Sequence, residues 1–218
     1  MSDRNPGGDR LYAGEGVDIL YNRARCIHAE FCVRGLAGVF DKDKRPWIDA
    51  NGASVQDIAT VIERCPSGAL HYERKDGVQE AVPAFNTVRV RSNGPLELRG
   101  DLAVMAADEA PLHDVRMTLC RCGASQNKPF CDNSHLRIGF EAASPQPGED
   151  VPEPTSGGPL TIVPTLNGPL EVQGAFQIVN EAQDAIAVKD GAALCRCGHS
   201  GRKPFCDGTH RRIGFTAE

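Results

Sequence analysis

A pattern of three cysteines and one histidine occurs twice in the second half of the chain. In each copy two cysteines stand one residue apart, a third follows after eight intervening residues, and a histidine follows after three more. The two sets are Cys120, Cys122, Cys131 and His135, then Cys195, Cys197, Cys206 and His210. Because thiols and imidazoles are metal ligands, their recurrence at identical spacing constrains each copy to fold around a metal or a metal cluster.

The duplication extends well beyond the ligands. Asn93–Glu97 reads NGPLE and recurs as Asn167–Glu171, at nearly the same distance before each Cys-x-Cys. Two repeats of about 55 residues are therefore predicted. We place the first repeat at residues 86–142 and the second repeat at 159–218, joined by a Pro- and Gly-rich linker over 143–158.

The N-terminal part differs from the two repeats in composition and in residue pattern. Residues 1–16 are polar and Gly-rich, and are expected to form a disordered lead-in. An ordered unit over 17–80 should follow, because Val17–Tyr21 has strand propensity and a helix start is indicated at Ser54. A returning strand is predicted at Ala69–Tyr72.

Composition limits the class of protein. Hydrophobic residues make up 40 % of the chain but aromatic residues only 6 %, which favours several small units over one thick core. The net charge of −5 argues against binding nucleic acid. There is no run of eighteen apolar residues and no signal-peptide pattern at the N-terminus. We therefore expect a cytoplasmic protein without membrane spans, in which nine cysteines bind metal more readily than they pair as disulfides.

The local sequence predicts how each ligand set is presented. Residues i and i+2 of an extended strand point to the same side, so each Cys-x-Cys should present two thiols together and direct Arg121 or Arg196 away from them. The third cysteine is followed by a turn into a short helix that carries the histidine. Asn133 replaces Gly208 in that turn, and both residues tolerate a left-handed backbone.

Two interpretations are possible for each charged residue near the ligands. Asp132 and Asp207 either orient the ligand loop or cap the short helix. Four basic residues near the ligands either offset the negative charge of the site or are simply solvated. These are Arg121, Lys128, Arg196 and Lys203.

The residues by themselves leave two metal centres open. Three cysteines per copy leave one unpaired in any disulfide scheme, and unliganded thiols do not explain the repeated spacing. A Cys3His set is a legitimate zinc site, although structural zinc usually uses Cys-x2–4-Cys rather than Cys-x-Cys. A 2Fe–2S cluster is the other possibility.

Each copy resembles the CDGSH iron–sulfur (NEET-type) family, whose pattern is Cys-x-Cys, Ser or Thr, Pro, then Cys-Asp-Gly-Ser/Thr/Ala-His. Outside the ligands, the matching residues are Ser125, Pro129, Asp132 and Ser134 in the first repeat and Ser200, Pro204, Asp207 and Thr209 in the second. Asn133 is the one departure and leaves every ligand in place. The resemblance implies one 2Fe–2S cluster per repeat, with the Cys-x-Cys pair on one iron and the Cys/His pair on the other.

The resemblance also implies a fold. Members of the family are small β-rich units that usually pair about a two-fold axis. The fold class expected here is α+β: a small ferredoxin-like domain followed by two β-rich CDGSH domains packed as an intramolecular pseudo-two-fold pair. Such a chain would be a monomer with an internal pseudo-dimer.

Three further cysteines lie in the N-terminal unit. Cys26, Cys32 and Cys65 fit a mono-cluster ferredoxin pattern in which Ala29 stands where a second cysteine would be, and the unit resembles the divergent 4Fe–4S mono-cluster domain. Three thiols suit a 3Fe–4S cluster, or a 4Fe–4S cluster with a non-cysteine ligand such as His28. The alternative is a degenerate ferredoxin fold with free thiols.

The expected function is one-electron transfer coupled to proton uptake, since each histidine ligand retains a second nitrogen that can titrate. The alternative is a cluster carrier, or a redox or pH sensor that releases its His-ligated clusters. A zinc scaffold is the third interpretation. No nucleophile–base pair is visible, so an enzyme is not expected. Partners would be redox proteins or cluster acceptors, with no nucleic acid and no membrane.

Overall fold

A computed structural model describes residues 8–105, 110–154 and 157–217. The chain divides into two compact units, Met1–Ala81 and Val82–Glu218, each with its own hydrophobic core. Helices and strands occur in both units, so the fold class is α+β as predicted. Among the described residues, no helix has the length and apolar character needed to cross a membrane.

The N-terminal unit is a three-stranded antiparallel sheet with two short helices. The strands, in spatial order, are β1 (Arg10–Tyr12), β2 (Val17–Tyr21) and β3 (Leu70–Arg74). The helices α1 (Phe31–Gly35) and α2 (Val55–Ile62) lie between β2 and β3 in the chain.

The predicted start of α2 is confirmed. The Ser54 hydroxyl oxygen accepts a hydrogen bond from the Asp57 backbone N–H at 3.1 Å, as expected of a residue that caps a helix. Ile58 and Ile62 are one turn apart and fully buried, so α2 packs this apolar face on the sheet. The helix ends at Ile62, shortly before Pro66.

The lead-in is shorter than expected. Residues 1–7 lie outside the described residues, but Arg10–Tyr12 form β1 and pair with β2. Tyr12 is buried in the core, whereas the apolar Leu11 before it is exposed. Three residues are too few to show an alternating pattern, so the sequence did not reveal this edge strand.

The C-terminal unit contains both repeats. The first repeat supplies β4 (Thr87–Val90), β5 (Leu96–Val104), β6 (Leu112–Leu119) and α3 (Ser134–Arg137). The second repeat supplies β7 (Leu160–Pro164), β8 (Leu170–Val179), β9 (Ala185–Leu194) and α4 (Thr209–Arg212). All six strands belong to one sheet.

The three strands of each repeat form an antiparallel meander, and the first strand of each also pairs with the other repeat. β4 pairs antiparallel with β5 of its own repeat and parallel with β8 of the other. β7 correspondingly pairs antiparallel with β8 and parallel with β5. Thr87 lies opposite Gln177 and Thr161 lies opposite Ala103, and the shift in numbering that separates Asn93 from Asn167 converts one register into the other. These parallel pairings join the two three-stranded units into one sheet.

The core and the linker also join the repeats. Buried residues of the first repeat, such as Leu98, belong to the same hydrophobic cluster as Phe176 and Ile178 of the second. At the start of the linker, the Ser144 hydroxyl donates to the Val90 carbonyl and accepts from the Glu181 N–H, both at 2.9 Å. The first residues of the linker are thus hydrogen-bonded to both repeats.

Candidate metal-cluster sites

Two thiols lie together directly after the last long strand of each repeat. The Cys120 and Cys122 Sγ atoms are 3.7 Å apart, and those of Cys195 and Cys197 are 3.8 Å apart. The strands end at Leu119 and Leu194, so the thiols lie just past the strand rather than on it. The predicted side-by-side presentation nevertheless holds.

The third cysteine and the histidine form a second close pair. The Cys131 Sγ lies 3.6 Å from the His135 Nδ1, and the Cys206 Sγ lies 3.3 Å from the His210 Nδ1. Each histidine lies in the four-residue helix α3 or α4.

The turn into each helix is left-handed, as predicted. Asn133 has φ 65° and Gly208 has φ 83°. Asn is among the few residues with a Cβ that adopt this conformation readily, which explains why it can replace glycine here.

Backbone hydrogen bonds bring the two pairs to the same end of the repeat. The Cys120 N–H donates to the Pro129 carbonyl at 2.8 Å, and the Cys131 N–H donates to the Thr118 carbonyl at 2.9 Å. The loop therefore returns alongside the end of β6 and brings the third cysteine back to the first two. Cys195 and Cys206 make the equivalent bonds in the second repeat.

The aspartates connect the loop to the helix. Asp132 accepts from the Gln126 N–H at 2.8 Å and from the Ser134 N–H at 2.9 Å. Burial by itself would raise the pKa of Asp132, but the hydrogen bonds from Ser134 and Gln126 lower it overall. Asp132 thus binds both the preceding loop and the first turn of the histidine-bearing helix, so its bonds agree with the loop-orienting and the helix-capping interpretation alike.

Asp207 repeats this arrangement in the second repeat. It accepts from the Gly201 N–H at 2.8 Å and from the Thr209 N–H at 3.0 Å. Hydrogen bonds from the Thr209 side chain and backbone, and then from Gly201, hold the pKa of Asp207 far below its usual value.

The thiols lie in an environment suited to metal-bound thiolates. A hydrogen bond from Cys122 lowers the pKa of Cys120 to about 6, whereas burial raises that of Cys131 to about 12. The Ala124 N–H points at the Cys122 Sγ at 3.5 Å, and the Asn133 N–H points at the Cys131 Sγ at 3.4 Å. A buried thiol of raised pKa with an N–H aimed at its sulfur becomes a stable thiolate when a cation binds it.

The donors are arranged as two close pairs per repeat. Among the described residues, no three Cys, His, Asp or Glu side chains form a group that could hold one metal ion. One pair for each iron of a two-iron core matches the observed pairing. The residues present therefore fit such a core.

The arginine that recurs between the two cysteines of each repeat has a structural role that sequence reasoning missed. Arg121 and Arg196 are almost completely buried, so the interpretation of solvated side chains is wrong for both. The Arg121 Nε donates to the Gly94 carbonyl at 2.9 Å, and the Arg196 Nε donates to the Gly168 carbonyl at 3.0 Å. Each arginine therefore fastens the NGPLE turn of its repeat to the Cys-x-Cys segment.

The two lysines act locally as well. The Lys128 Nζ donates to the Ser125 carbonyl at 2.6 Å, and the Lys203 Nζ donates to the Ser200 carbonyl at 2.7 Å. Both bonds lie within the loop that precedes the third cysteine, so each lysine helps to shape that loop.

The histidines differ in their surroundings. Burial lowers the pKa of His135. His210 lines an open cavity of about 720 Å³ together with Cys206. Cys131 is buried, whereas Cys206 is only partly buried. The Cys/His pair of the second repeat is therefore the more accessible of the two.

The structure also brings the three N-terminal cysteines together. Cys26, Cys32 and Cys65 line one cavity of about 790 Å³, and His28 and Ala29 line it too. Burial, and to a smaller extent negative charge on Cys65 and Cys26, raise the pKa of Cys32 to about 11. The three thiols are therefore close enough to interact.

Aromatic residues of this cavity were not predicted as site residues. Tyr21 and Trp47 line it and contact each other edge to face, with ring centroids 4.9 Å apart. Burial and the nearby Cys26 raise the pKa of Tyr21. His28 and Glu30, on the segment between the cysteines, have left-handed φ values of 53° and 60°. No local sequence signal distinguishes these residues from ordinary core and loop residues.

Comparison with known families agrees with both sites. A family model described as "Iron-binding zinc finger CDGSH type" matches residues 93–136 and 167–211, and one described as "Divergent 4Fe-4S mono-cluster" matches residues 12–75. The chain therefore contains a divergent 4Fe–4S mono-cluster domain followed by two CDGSH-type iron-binding domains. Both CDGSH matches start at the NGPLE turn, so the family pattern includes the segment that Arg121 and Arg196 hold.

The N-terminal unit also has a curated relative. It is 44 % identical over 69 residues to the uncharacterized protein YjdI of Escherichia coli, in strain K12 and equally in O157:H7. The match spans 32 % of this chain and 91 % of YjdI. The resemblance of the N-terminal unit to a divergent 4Fe–4S mono-cluster domain is thereby confirmed.

Proposed function

We propose that each repeat binds one 2Fe–2S cluster through its Cys3His set and that the protein transfers single electrons coupled to proton uptake. The observation that carries this proposal is the orientation of the histidines. In both repeats it is Nδ1 that faces the neighbouring cysteine, at 3.6 Å and 3.3 Å. This leaves Nε2 as the nitrogen that can take up a proton.

Replacing one thiolate by a neutral imidazole makes a cluster easier to reduce, as histidine ligation does in Rieske centres. An imidazole with a free second nitrogen titrates near physiological pH. The potential of each site should therefore depend on pH. The cavity beside His210 supports proton exchange with solvent at the second repeat.

We propose that Cys26, Cys32 and Cys65 hold a third cluster, either 3Fe–4S or 4Fe–4S. Their shared cavity and the electrostatic interaction among the three thiols support this assignment. Ala29 supplies no ligand, so a 4Fe–4S cluster would need a donor such as His28, which lines the same cavity.

We further propose that the two repeats act as an intramolecular pseudo-two-fold pair in a monomeric, cytoplasmic, non-enzymatic protein. The equivalent registers of the parallel pairs β4–β8 and β5–β7 support the pseudo-two-fold arrangement. Its partners would be redox proteins that give and take one electron.

Iron and acid-labile sulfide per chain, with paramagnetic resonance in both redox states, test the proposal. Four irons with a rhombic signal only after reduction indicate two 2Fe–2S clusters and an empty N-terminal unit, and seven or eight irons indicate that the third site is loaded. A colourless protein that contains zinc would contradict the proposal, since zinc has no visible absorption.

The role of the histidines has its own test. The double variant His135→Cys/His210→Cys should have lower potentials and a flatter dependence on pH, because thiolates replace the titratable imidazoles. Potentiometric titration between pH 6 and 9 measures both. A double variant with the wild-type slope would contradict proton coupling through these histidines.

Cluster transfer is the second candidate function. It is favoured by the partly buried Cys206 beside the His210 cavity, since an accessible Cys/His pair is easier to displace. Mixing the oxidised protein with an apo-ferredoxin acceptor distinguishes the functions. Gain of cluster by the acceptor supports transfer, and a stable acceptor apoprotein supports electron transfer.

A further inference from the structure

The two Cys-x-Cys-Gly segments of the C-terminal unit contact each other. A Cβ added to Gly123 would lie 2.6 Å from the Cys197 carbonyl oxygen, and one added to Gly198 would lie 2.5 Å from that of Cys122. The contact is reciprocal: the residue after each Cys-x-Cys touches the second cysteine of the other repeat. The two ligand sets are thus adjacent, and backbone atoms of the two segments make the contact at this point.

Arg121 directly precedes Cys122, in one of the two contacting segments. Its Nε and Nη2 atoms donate to the Gly94 and Arg91 carbonyls, at 2.9 Å and 2.5 Å, and its guanidinium lies 5.5 Å from the Phe140 ring centroid. The buried Nη1 has no hydrogen-bond partner among the described residues. The cation is therefore fixed in position and retains an unused N–H donor.

The charges that act on this cation come from both repeats. Burial lowers the pKa of Arg121 to about 10, while negative charge on Cys195 of the other repeat, and then on Cys122, raises it. The pKa of Arg196 is likewise lowered by burial and raised by Cys120. For each guanidinium, negative charge on the first cysteine of the opposite repeat is therefore one of the influences that favour its cationic form.

We propose that Arg121 and Arg196 are positioning residues that tune the cluster site of the opposite repeat and couple the two sites electrostatically. The inference rests on the proposed function. When an external one-electron reductant adds an electron to one site, the added negative charge makes reduction of the adjacent site less favourable. A buried cation held in one of the two contacting segments would stabilise negative charge added to either site.

The test needs the two sites to titrate separately. In a His135→Cys background the first repeat should titrate at a much lower potential, so the higher step reports on the second repeat. Adding Arg121→Gln should then shift the second repeat's reduction equilibrium against reduction by about tenfold, or ~59 mV for one electron. Arg121→Lys, which keeps the charge, should restore most of that shift.

Arg137→Gln is the matched control. Arg137 is an exposed cation of the first repeat that donates to the Ser134 hydroxyl at 2.6 Å, next to His135. Its removal should leave the second repeat's potential nearly unchanged. Equal shifts from Arg121→Gln and Arg137→Gln would overturn the inference, because only a general loss of charge would then be at work.

The reciprocal experiment distinguishes an electrostatic effect on the potential from a folding defect. Arg196→Gln in a His210→Cys background should lower the potential of the first repeat in the same way. If both glutamine variants lose their clusters, the arginines are structural and the inference fails. Iron and sulfide are measured first: a wild-type protein without clusters refutes the proposed function, whereas loaded variants with unshifted potentials refute only the coupling.

Discussion

At the residue scale, Gly123 and Gly198 are subject to two constraints at once. Both have left-handed backbones, with φ of 83° and 85°, and both lie against a backbone carbonyl of the other repeat. A side chain at either position would be strained by its φ and would also overlap an atom that cannot easily move. Glycine is therefore required by the contact between the repeats as well as by the turn.

We predict that Gly123→Ala is more destabilising than Gly139→Ala. Gly139 also has a positive φ of 60° but has nothing within 4 Å of an added Cβ, so its substitution should cost only the conformational term, about 1–2 kcal/mol. Gly123→Ala adds overlap with the Cys197 carbonyl, and we expect a total loss of about 3 kcal/mol or more. Urea unfolding followed by circular dichroism measures the difference, and equal losses would show that the contact is loose.

At the element scale, α3 and α4 are too short to be stable by themselves. Each has four residues, and an isolated helix of that length is not formed in water. Asp132 and Asp207 supply part of the missing stability, because each carboxylate binds one N–H of the preceding loop and one of the helix. The position of each histidine thus depends on a short-range hydrogen-bond network.

We predict that Asp207→Asn lowers the stability of the C-terminal unit at neutral pH, and that the difference from wild type shrinks as the pH falls below about 4. The folded-state pKa of Asp207 lies below its unfolded value, so its contribution is present above the unfolded pKa and is lost on acidification through the folded pKa. Urea midpoints between pH 3 and 7 measure this.

Asp190→Asn serves as the control for that measurement, since Asp190 is an exposed carboxylate of β9. It should leave the urea midpoint nearly unchanged at each pH. A constant difference between Asp207→Asn and wild type over the whole range would rule out the ionised carboxylate as the source of the stability.

At the scale of the whole molecule, the parallel strand pairings between the repeats make the C-terminal unit a single folded unit. β4 is hydrogen-bonded to β5 and to β8, and β7 to β8 and to β5. The sixteen-residue linker of residues 143–158 is therefore not needed to keep the repeats together once the sheet has formed.

We predict that cutting the linker leaves the unit intact. A protease site inserted after the exposed Asp150 should give two fragments that co-elute in size-exclusion chromatography and keep their visible spectrum, because the sheet and the core hold them together. The uncut insertion protein is the control. Fragments that separate without denaturant would show that the parallel pairings are weaker than the geometry suggests.

How far the sequence predicted this structure depends on the range of each interaction. The cap at Ser54 and the left-handed turn at Asn133 follow from contacts within a few residues, so both were predictable. The carbonyl contacts of Arg121 join residues that lie 27 and 30 positions apart. β1 pairs with a strand only a few residues further on, but its own three residues are too few to show a pattern. Sequence reasoning therefore missed the strand and left open whether the arginine is solvated.

The sequence by itself determined the two Cys3His sets, their match to the CDGSH pattern and the third group of cysteines, because ligand identity and spacing are local properties. Only the tertiary structure decided that the repeats share one sheet and that Gly123 touches Cys197. Those contacts join residues that lie roughly 60 to 90 positions apart, and no periodicity within either repeat encodes which partner strand is chosen. The duplicated ligand pattern specifies two sites, and the parallel strand pairings between the repeats place them side by side.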